Sequence, residues 1–181
     1  NSAYVRSKAI AERAAWDFVG DGGPPLTTLV PTGIFGPVLG SHLSASVLLI
    51  ESMLRGAAPN LPPDRFGIVD VRDVATAHVR AMTTGAAAGE RILLVADGPS
   101  RSFRDIARLL RESLGEQATR VITENGPDPV SGPKISNAKA KSLLGWNPRP
   151  VADTIVDTAR SLLGSISGAG DTATARSISA E

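Results

Sequence analysis

The sequence contains no cysteine, so neither disulfides nor thiolate metal sites are available to it. That fits a reducing interior, and a cytoplasmic location is expected. It also lacks an excess of either charge: 19 Lys and Arg stand against 18 Asp and Glu, and the basic residues are scattered. The electrostatic footprint of a nucleic-acid or acidic-membrane binder is therefore missing. No apolar run reaches bilayer-spanning length, and the first residues do not read as a signal peptide. Two isolated histidines, His42 and His78, make no metal site. Nor is there a Met before the first helix, so the chain is expected to be a piece of a longer protein. At 181 residues it is still long enough for one domain with a real core.

What is present alternates between helical and strand patterns. An Ala-rich helix is expected from about Ser2 to Val19, stopped at Gly20. The turn residues Asp21–Pro25 lead to a buried strand over 26–30, which Pro31, Gly33, Gly36 and Pro37 are expected to break. A helix follows over 44–55. A second strand is predicted over 66–71, and a helix from Arg72 to about Thr83, with Asp73 suited to its positive start. The run 92–96 reads as another strand. Ser102 is a good N-cap for an amphipathic helix over 103–114, stopped by Gly115. A small strand is expected over 120–123 and a Pro/Gly-rich loop over 125–134. A short capped helix spans 136–145, and a final helix 151–163 carries Ile155, Val156, Ala159, Leu162 and Leu163 inward. From 164 onward the chain is Gly, Ser, Ala and Thr with almost no core formers, and a disordered tail is expected. Strands alternating with helices argue for a parallel sheet covered on both faces.

Two patterns bear on chemistry. Tyr4 and Lys8 stand four apart on the first helix, which places an ammonium one turn from a phenol. A cation there favours the phenolate and moves a poor acid toward the working range. On spacing alone, an ordinary half-buried aromatic and a solvated lysine are the better account of the pair. Gly33, Gly36 and Gly40 match a glycine pattern associated with dinucleotide pyrophosphates. Yet Pro37 removes one amide, the next helix starts several residues later, and no acid follows at ribose-binding distance. A turn at the C-terminal end of a strand, where α/β proteins bind ligands, is the better account.

Taken in order, several stretches together carry a resemblance. They are Tyr4-Val5-Arg6-Ser7-Lys8 with Glu12, and Leu29-Val30-Pro31-Thr32-Gly33-Ile34-Phe35-Gly36-Pro37. Farther on come Val69-Asp70-Val71-Arg72-Asp73-Val74-Ala75-Thr76-Ala77-His78, then Lys134-Ile135-Ser136-Asn137-Ala138-Lys139, and finally Leu144-Gly145-Trp146-Asn147-Pro148. Over about residues 1–163 the chain resembles the C-terminal half of an extended short-chain dehydrogenase/reductase, in the NAD-dependent epimerase/dehydratase superfamily. Pro31-Thr32 before the Gly-Pro turn is similar to the dihydroflavonol-reductase, cinnamoyl-CoA-reductase and aldehyde-reductase branch. Nucleotide-sugar epimerases and dehydratases usually carry an Arg, an Asn and a Tyr in that stretch, and this sequence has none of them.

The resemblance implies an α/β fold: the C-terminal part of a Rossmann-like parallel sheet with a small α/β substrate-binding portion, the N-terminal Rossmann half being absent. It divides the chain into a Rossmann part (1–37), a substrate-side segment (38–66), a return to the sheet (67–96), a substrate-binding portion (97–150), a C-terminal helix (151–163) and a tail (164–181). It implies an NAD(P)-dependent oxidoreductase reducing a ketone or aldehyde, with NADP favoured over NAD by the branch. Tyr4 would be the general acid/base. Lys8 would modulate its pKa and bind the nicotinamide ribose. Pro31 and Ile34 would contact the nicotinamide end, and Ser46 would reach a cofactor phosphate. Segments 38–45 and 125–135 would border the pocket, with His42 either lining it or standing as an exposed loop histidine. His78, on a helix, is expected to be structural.

The family's glycine loop, ribose selector and upstream catalytic Ser or Thr are not in the sequence, so the isolated chain is expected to be inactive. A separate or missing N-terminal half is an expected partner. The Ala-rich face of residues 9–15 suits equally a homodimer interface or burial against the chain's own sheet. Other readings are a nucleotide-sugar epimerase or dehydratase, a hydroxysteroid dehydrogenase, or a catalytically empty fragment or binding protein.

Overall fold

The computed structural model describes residues 3–20, 22–40, 42–58, 60–124 and 126–177. Helix α1 (Ala3–Gly20) opens the chain. Strands β1 (Thr28–Pro31) and β2 (Gly33–Phe35) follow, then α2 (Ala45–Leu54). Next come β3 (Arg65–Phe66), β4 (Ile68–Asp70), α3 (Val71–Thr83) and β5 (Arg91–Leu94). The remainder is β6 (Arg101–Ser102), α4 (Phe103–Leu114), α5 (Ala138–Leu144) and α6 (Val151–Ser177).

The strands form a fork. β1 and β5 run parallel, from Thr28 opposite Arg91 to Pro31 opposite Leu94. Thr32 N–H still donates to Leu94 O at 3.0 Å, but the next amide, Gly33, turns to Gly67 O at 3.0 Å. β2 then pairs in parallel with β4, while Ala96 N–H reaches Ile68 O from the other side at 2.7 Å. β4 thus enters the gap where β1–β2 and β5 diverge. Only glycine fits at its entry. A Cβ on Gly67 would lie 2.5 Å from Ile135 Cδ1, 2.8 Å from Val95 Cγ2 and 2.9 Å from Thr32 Cγ2.

Two cores flank the fork. On one side Phe35 and Ile68 meet Ile50 and Met53 of α2, Ile106 and Leu110 of α4, and Ile155 of α6. The ring of Phe66 lies 6.3 Å from that of Phe35 and 4.7 Å from that of Phe103, extending this core to β3. On the other side Ile92, Leu94 and Leu29 pack with Val74 and Ala77 of α3, Ala140 and Leu144 of α5, and Trp146.

Several expectations need correction. The strand after Pro31 resumes at Gly33 rather than ending, because Gly67 O accepts the Gly33 amide. No strand forms over 120–123; Gly115–Ala118 is a single 3-10 turn after α4, and Val121 N–H bonds back to Ala118 O. A two-residue antiparallel pair forms instead between β3 and β6, Arg65 opposite Ser102. α3 starts one residue earlier than expected, at Val71, capped by Asp70, whose carboxylate accepts from Arg72 N–H; Asp73 does stand in its first turn, as its charge suits. α6 does not stop at 163 but runs to Ser177, with no proline to interrupt it. Residues 178–181 of the expected tail lie outside the described residues. Coverage on both faces holds for β2–β4 but not for β1–β5. Val30 and Leu93 are half-buried and belong to neither core.

The remaining helices follow their local signals. α4 begins in a capping box, with Ser102 Oγ accepting from Asp105 N–H and the Asp105 carboxylate accepting from Ser102 N–H. α5 ends at Gly145 in the left-handed region, φ +58°. Its N-cap Asn137 makes no side-chain cap bond; the Asn137 amide donates instead to Val95 O and Asp97, tying α5 to the end of β5.

Candidate active site

Tyr4 is the only tyrosine in the chain, and α1 brings Lys8 to it as their spacing predicts. The Lys8 ammonium lies 5.5 Å from the centre of the Tyr4 ring. Among the described residues α1 buries no side chain, and Tyr4 (70% exposed) shares this openness with Val5, Ile10 and Phe18. Glu12 anchors the helix by an ion pair to Arg91 at the start of β5, at 2.6 Å. The Arg91 hydrogen bond holds the Glu12 carboxyl below its usual range.

Pro31 closes β1 and Ile34 sits in β2, both half-buried. Beyond them Gly36 turns the chain at φ +136°, where a Cβ would strike Val71 Cγ1 at 2.8 Å. This turn walls a cavity of about 410 Å³ lined by Ile34, Pro37, Val38, His42, Val47 and Val71, among others. Ile34 and His42 therefore share one cavity, although His42 is also an exposed loop residue. Ser46 is half-buried in the first turn of α2, next to the lining residue Val47 but not itself in the lining. Tyr4, Lys8 and Pro31 do not line this cavity either, nor do the described residues of 126–135. Val130 instead bonds Pro63 O, and Ile135 packs at Gly67. His78 is on α3 with Nδ1 2.8 Å from Val74 O, its own helix carbonyl.

The central amides of the glycine pattern are already taken. The Gly36 amide donates to Thr158 Oγ1 at 2.7 Å and the Val38 amide to Ser161 Oγ at 3.0 Å. Pro37 between them has no N–H. Both free amides of the turn are therefore held by α6.

Beneath the turn lies an ionic network that sequence reasoning missed. Asp70, with its side chain fully buried, accepts from Arg72 N–H, Nε–H and Nη2–H at 2.7–2.8 Å. Arg72 also donates to Asp157 of α6 at 2.8 Å. Burial pushes the Asp70 carboxyl up, but the side-chain and backbone hydrogen bonds and the charge of Arg72 outweigh it and hold the group below its ordinary value. Arg72 is raised in turn, chiefly by its hydrogen bond to Asp70. Asp73 ties a different pair of segments together. Its carboxylate accepts from the Arg149 amide at 2.7 Å and from the Arg149 guanidinium, while its backbone carbonyl accepts from Trp146 Nε1 at 2.9 Å. The two stretches around Asp70-Val71-Arg72-Asp73 and Gly145-Trp146-Asn147-Pro148-Arg149 are thus halves of one junction. The available signal was a pair of acids closing an apolar strand.

No family model matches the sequence. Known proteins do. The chain is 33% identical over 159 residues to cinnamoyl-CoA reductase CAD2 of Medicago truncatula, covering 88% of this chain and 47% of that protein. It is 31% identical over 176 residues to the NADPH-dependent methylglyoxal reductase GRE2 of Saccharomyces cerevisiae, covering 90% and 51%. The crystal structure of yeast methylglyoxal/isovaleraldehyde reductase Gre2 complexed with NADPH superposes with a TM-score of 0.75 at 28% identity, covering 90% of this chain and 51% of that one. The chain belongs to the extended short-chain dehydrogenase/reductase family. Within that family it falls in the cinnamoyl-CoA reductase and Gre2 branch. This reductase-family chain spans about half the length of the curated relatives it matches. Its parallel strands make up about half of the family's Rossmann-type fold. Among the described residues no helix is long and apolar enough to cross a membrane, and no group of three or more His, Cys, Asp or Glu is placed to hold a metal ion.

Proposed function

We propose that this chain is the C-terminal portion of an NADPH-dependent carbonyl reductase acting on a small aldehyde or ketone. The observation that carries the reading is the Lys8 ammonium 5.5 Å from the ring of the chain's only tyrosine, in a protein of the reductase branch. Two further observations support a missing complement. α1 buries no side chain, yet most helical stability in proteins comes from packing an apolar face. Beside β1 and α3, an open groove of about 540 Å³ is lined by Leu29, Ala81 and Met82. A strand–helix half supplied by the complete protein would cover both.

The residues present fit the nicotinamide end of a dinucleotide better than its pyrophosphate, because α6 holds the Gly36 and Val38 amides and Pro37 has none. NADPH, when bound, supplies the hydride. Tyr4 then donates its phenolic proton to the carbonyl oxygen on which charge develops. Lys8 places positive charge beside that phenol and hydrogen-bonds the nicotinamide ribose. Pro31 and Ile34 bound the nicotinamide face, Ser46 reaches a cofactor phosphate, and the apolar cavity beyond Ile34 receives the carbonyl compound's substituent. Segments 1–37 and 67–96 serve as sheet, and 38–66 and 97–150 as the substrate side.

The test is NADPH consumption by the complete protein with a panel of small aldehydes and ketones, methylglyoxal among them, and with a nucleotide sugar. Turnover of a carbonyl with NADPH is the expected result. Conversion of the nucleotide sugar alone, followed by product analysis because epimerisation consumes no net NADPH, would replace this reading by the epimerase one. Absence of both would leave a binding protein.

A further inference from the structure

We infer that α6 sets the shape of the substrate cavity, with Thr158 and Ser161 as positioning residues for the turn Gly36–Val38. The proposal rests on the reductase reading for its kinetic consequence, but its geometry stands independently. Three features carry it.

The first is register. The turn has two amides to satisfy, Gly36 and Val38, separated by a proline that has none. α6 presents two hydroxyls three residues apart on one face, and each takes one amide, at 2.7 and 3.0 Å. Each hydroxyl also has its own proton committed: Thr158 donates to Thr154 O and Ser161 to Thr158 O, both at 2.7 Å. With the proton turned back into the helix, the oxygen lone pairs face the loop.

The second is confinement from the opposite side. Gly36 is pressed against Val71 and the Asp70 carboxylate, with no room for a Cβ. The turn is therefore held between the start of α3 and the side of α6. The third is the lock between those two helices: Arg72 joins buried Asp70 to Asp157, the residue before Thr158. Ile34, Pro37, Val38 and Val71 all line the cavity, so a shift of α6 would move its wall without touching Tyr4 or Lys8.

The experiment compares Thr158→Val, which keeps the shape and removes the hydroxyl, with Thr158→Ser, which restores it, in the complete protein. Amide hydrogen exchange is followed at Gly36, Val38 and the core residue Ile92. Steady-state kinetics use NADPH with benzaldehyde and with butanal. Thr158→Val is expected to speed exchange at Gly36 but not at Ile92. It should raise KM for the aldehydes about tenfold, the scale of one lost hydrogen bond to a buried amide. Values of kcat and the NADPH dissociation constant should stay within about twofold, since the proton donor and its lysine are untouched. Thr158→Ser should behave as wild type.

Unchanged exchange at Gly36, or equal acceleration at Gly36 and Ile92, would overturn the clamp. Faster Gly36 exchange with an unchanged KM would overturn its control of the cavity. If Thr158→Val does not fold, Ser161→Ala, read at Val38, provides the same decision at a half-buried position. If wild type turns over neither these aldehydes nor any carbonyl of the wider panel, the reductase reading fails, while the exchange result still decides the clamp.

Discussion

Replacing Asp70 by Asn removes one charge from the network that joins β4, α3 and α6. The Asp70 side chain is fully buried and accepts three hydrogen bonds from Arg72. Asparagine keeps one acceptor oxygen for the Arg72 backbone amide but turns an NH₂ group toward the guanidinium, donor against donor. Breaking a buried pair by altering one partner costs about 3–5 kcal/mol. Arg72 is about one-third exposed and retains Asp157, so the lower end, about 3 kcal/mol, applies. For a chain of this size that corresponds to a fall in Tm of about 6–12 °C.

The pH dependence has a definite sign. The folded Asp70 carboxyl lies below its ordinary value, so its stabilisation is complete above the unfolded pKa of about 3.9 and is lost as pH falls through the folded value. Urea unfolding of wild type and Asp70→Asn should therefore differ most at neutral pH and converge in acid. A difference below about 0.5 kcal/mol at neutral pH, or one that widens on acidification, would refute the role given to this network.

Other perturbations separate the remaining claims. Gly67→Ala should destabilise by about 1–3 kcal/mol in urea unfolding, because its Cβ meets three β-branched side chains where the strands fork. Wild-type stability would show that the fork opens without cost. Asp73→Ala should cost about 2–4 kcal/mol and speed exchange of the Arg149 amide, which loses its acceptor. An Arg149 amide as protected as in wild type would contradict that junction. Lys8→Ala in the complete protein should weaken both NADPH binding and turnover, and unchanged cofactor affinity would remove the ribose contact.

Legibility in the sequence followed locality. The ends of α4 were readable because Ser102 and Gly115 act within one turn of the residues they cap. Tyr4 and Lys8 were readable for the same reason, being neighbours on one helix whatever surrounds it. β3 and β6 were not, since two-residue strands carry no alternation and are defined only by each other. The resumption of the strand at Gly33 depends on Gly67 arriving with no side chain between Ile135, Val95 and Thr32, a condition set by three distant segments. Thr154 and Thr158 read as ordinary helix residues, yet both are fully buried, and Thr158 holds a turn far away in sequence. That α1 buries no side chain was also invisible, because an Ala-rich helix has the same pattern whether or not a neighbour lies against it.

The central claim is that Tyr4 is the proton donor. The direct measurement is turnover and NADPH affinity of Tyr4→Phe in the complete protein, with the aldehyde that wild type reduces best. Loss of reduction with cofactor affinity within about twofold of wild type is predicted, because the substitution removes only the hydroxyl proposed to protonate the carbonyl oxygen. Reduction at the wild-type rate would contradict it and take Tyr4 out of the mechanism.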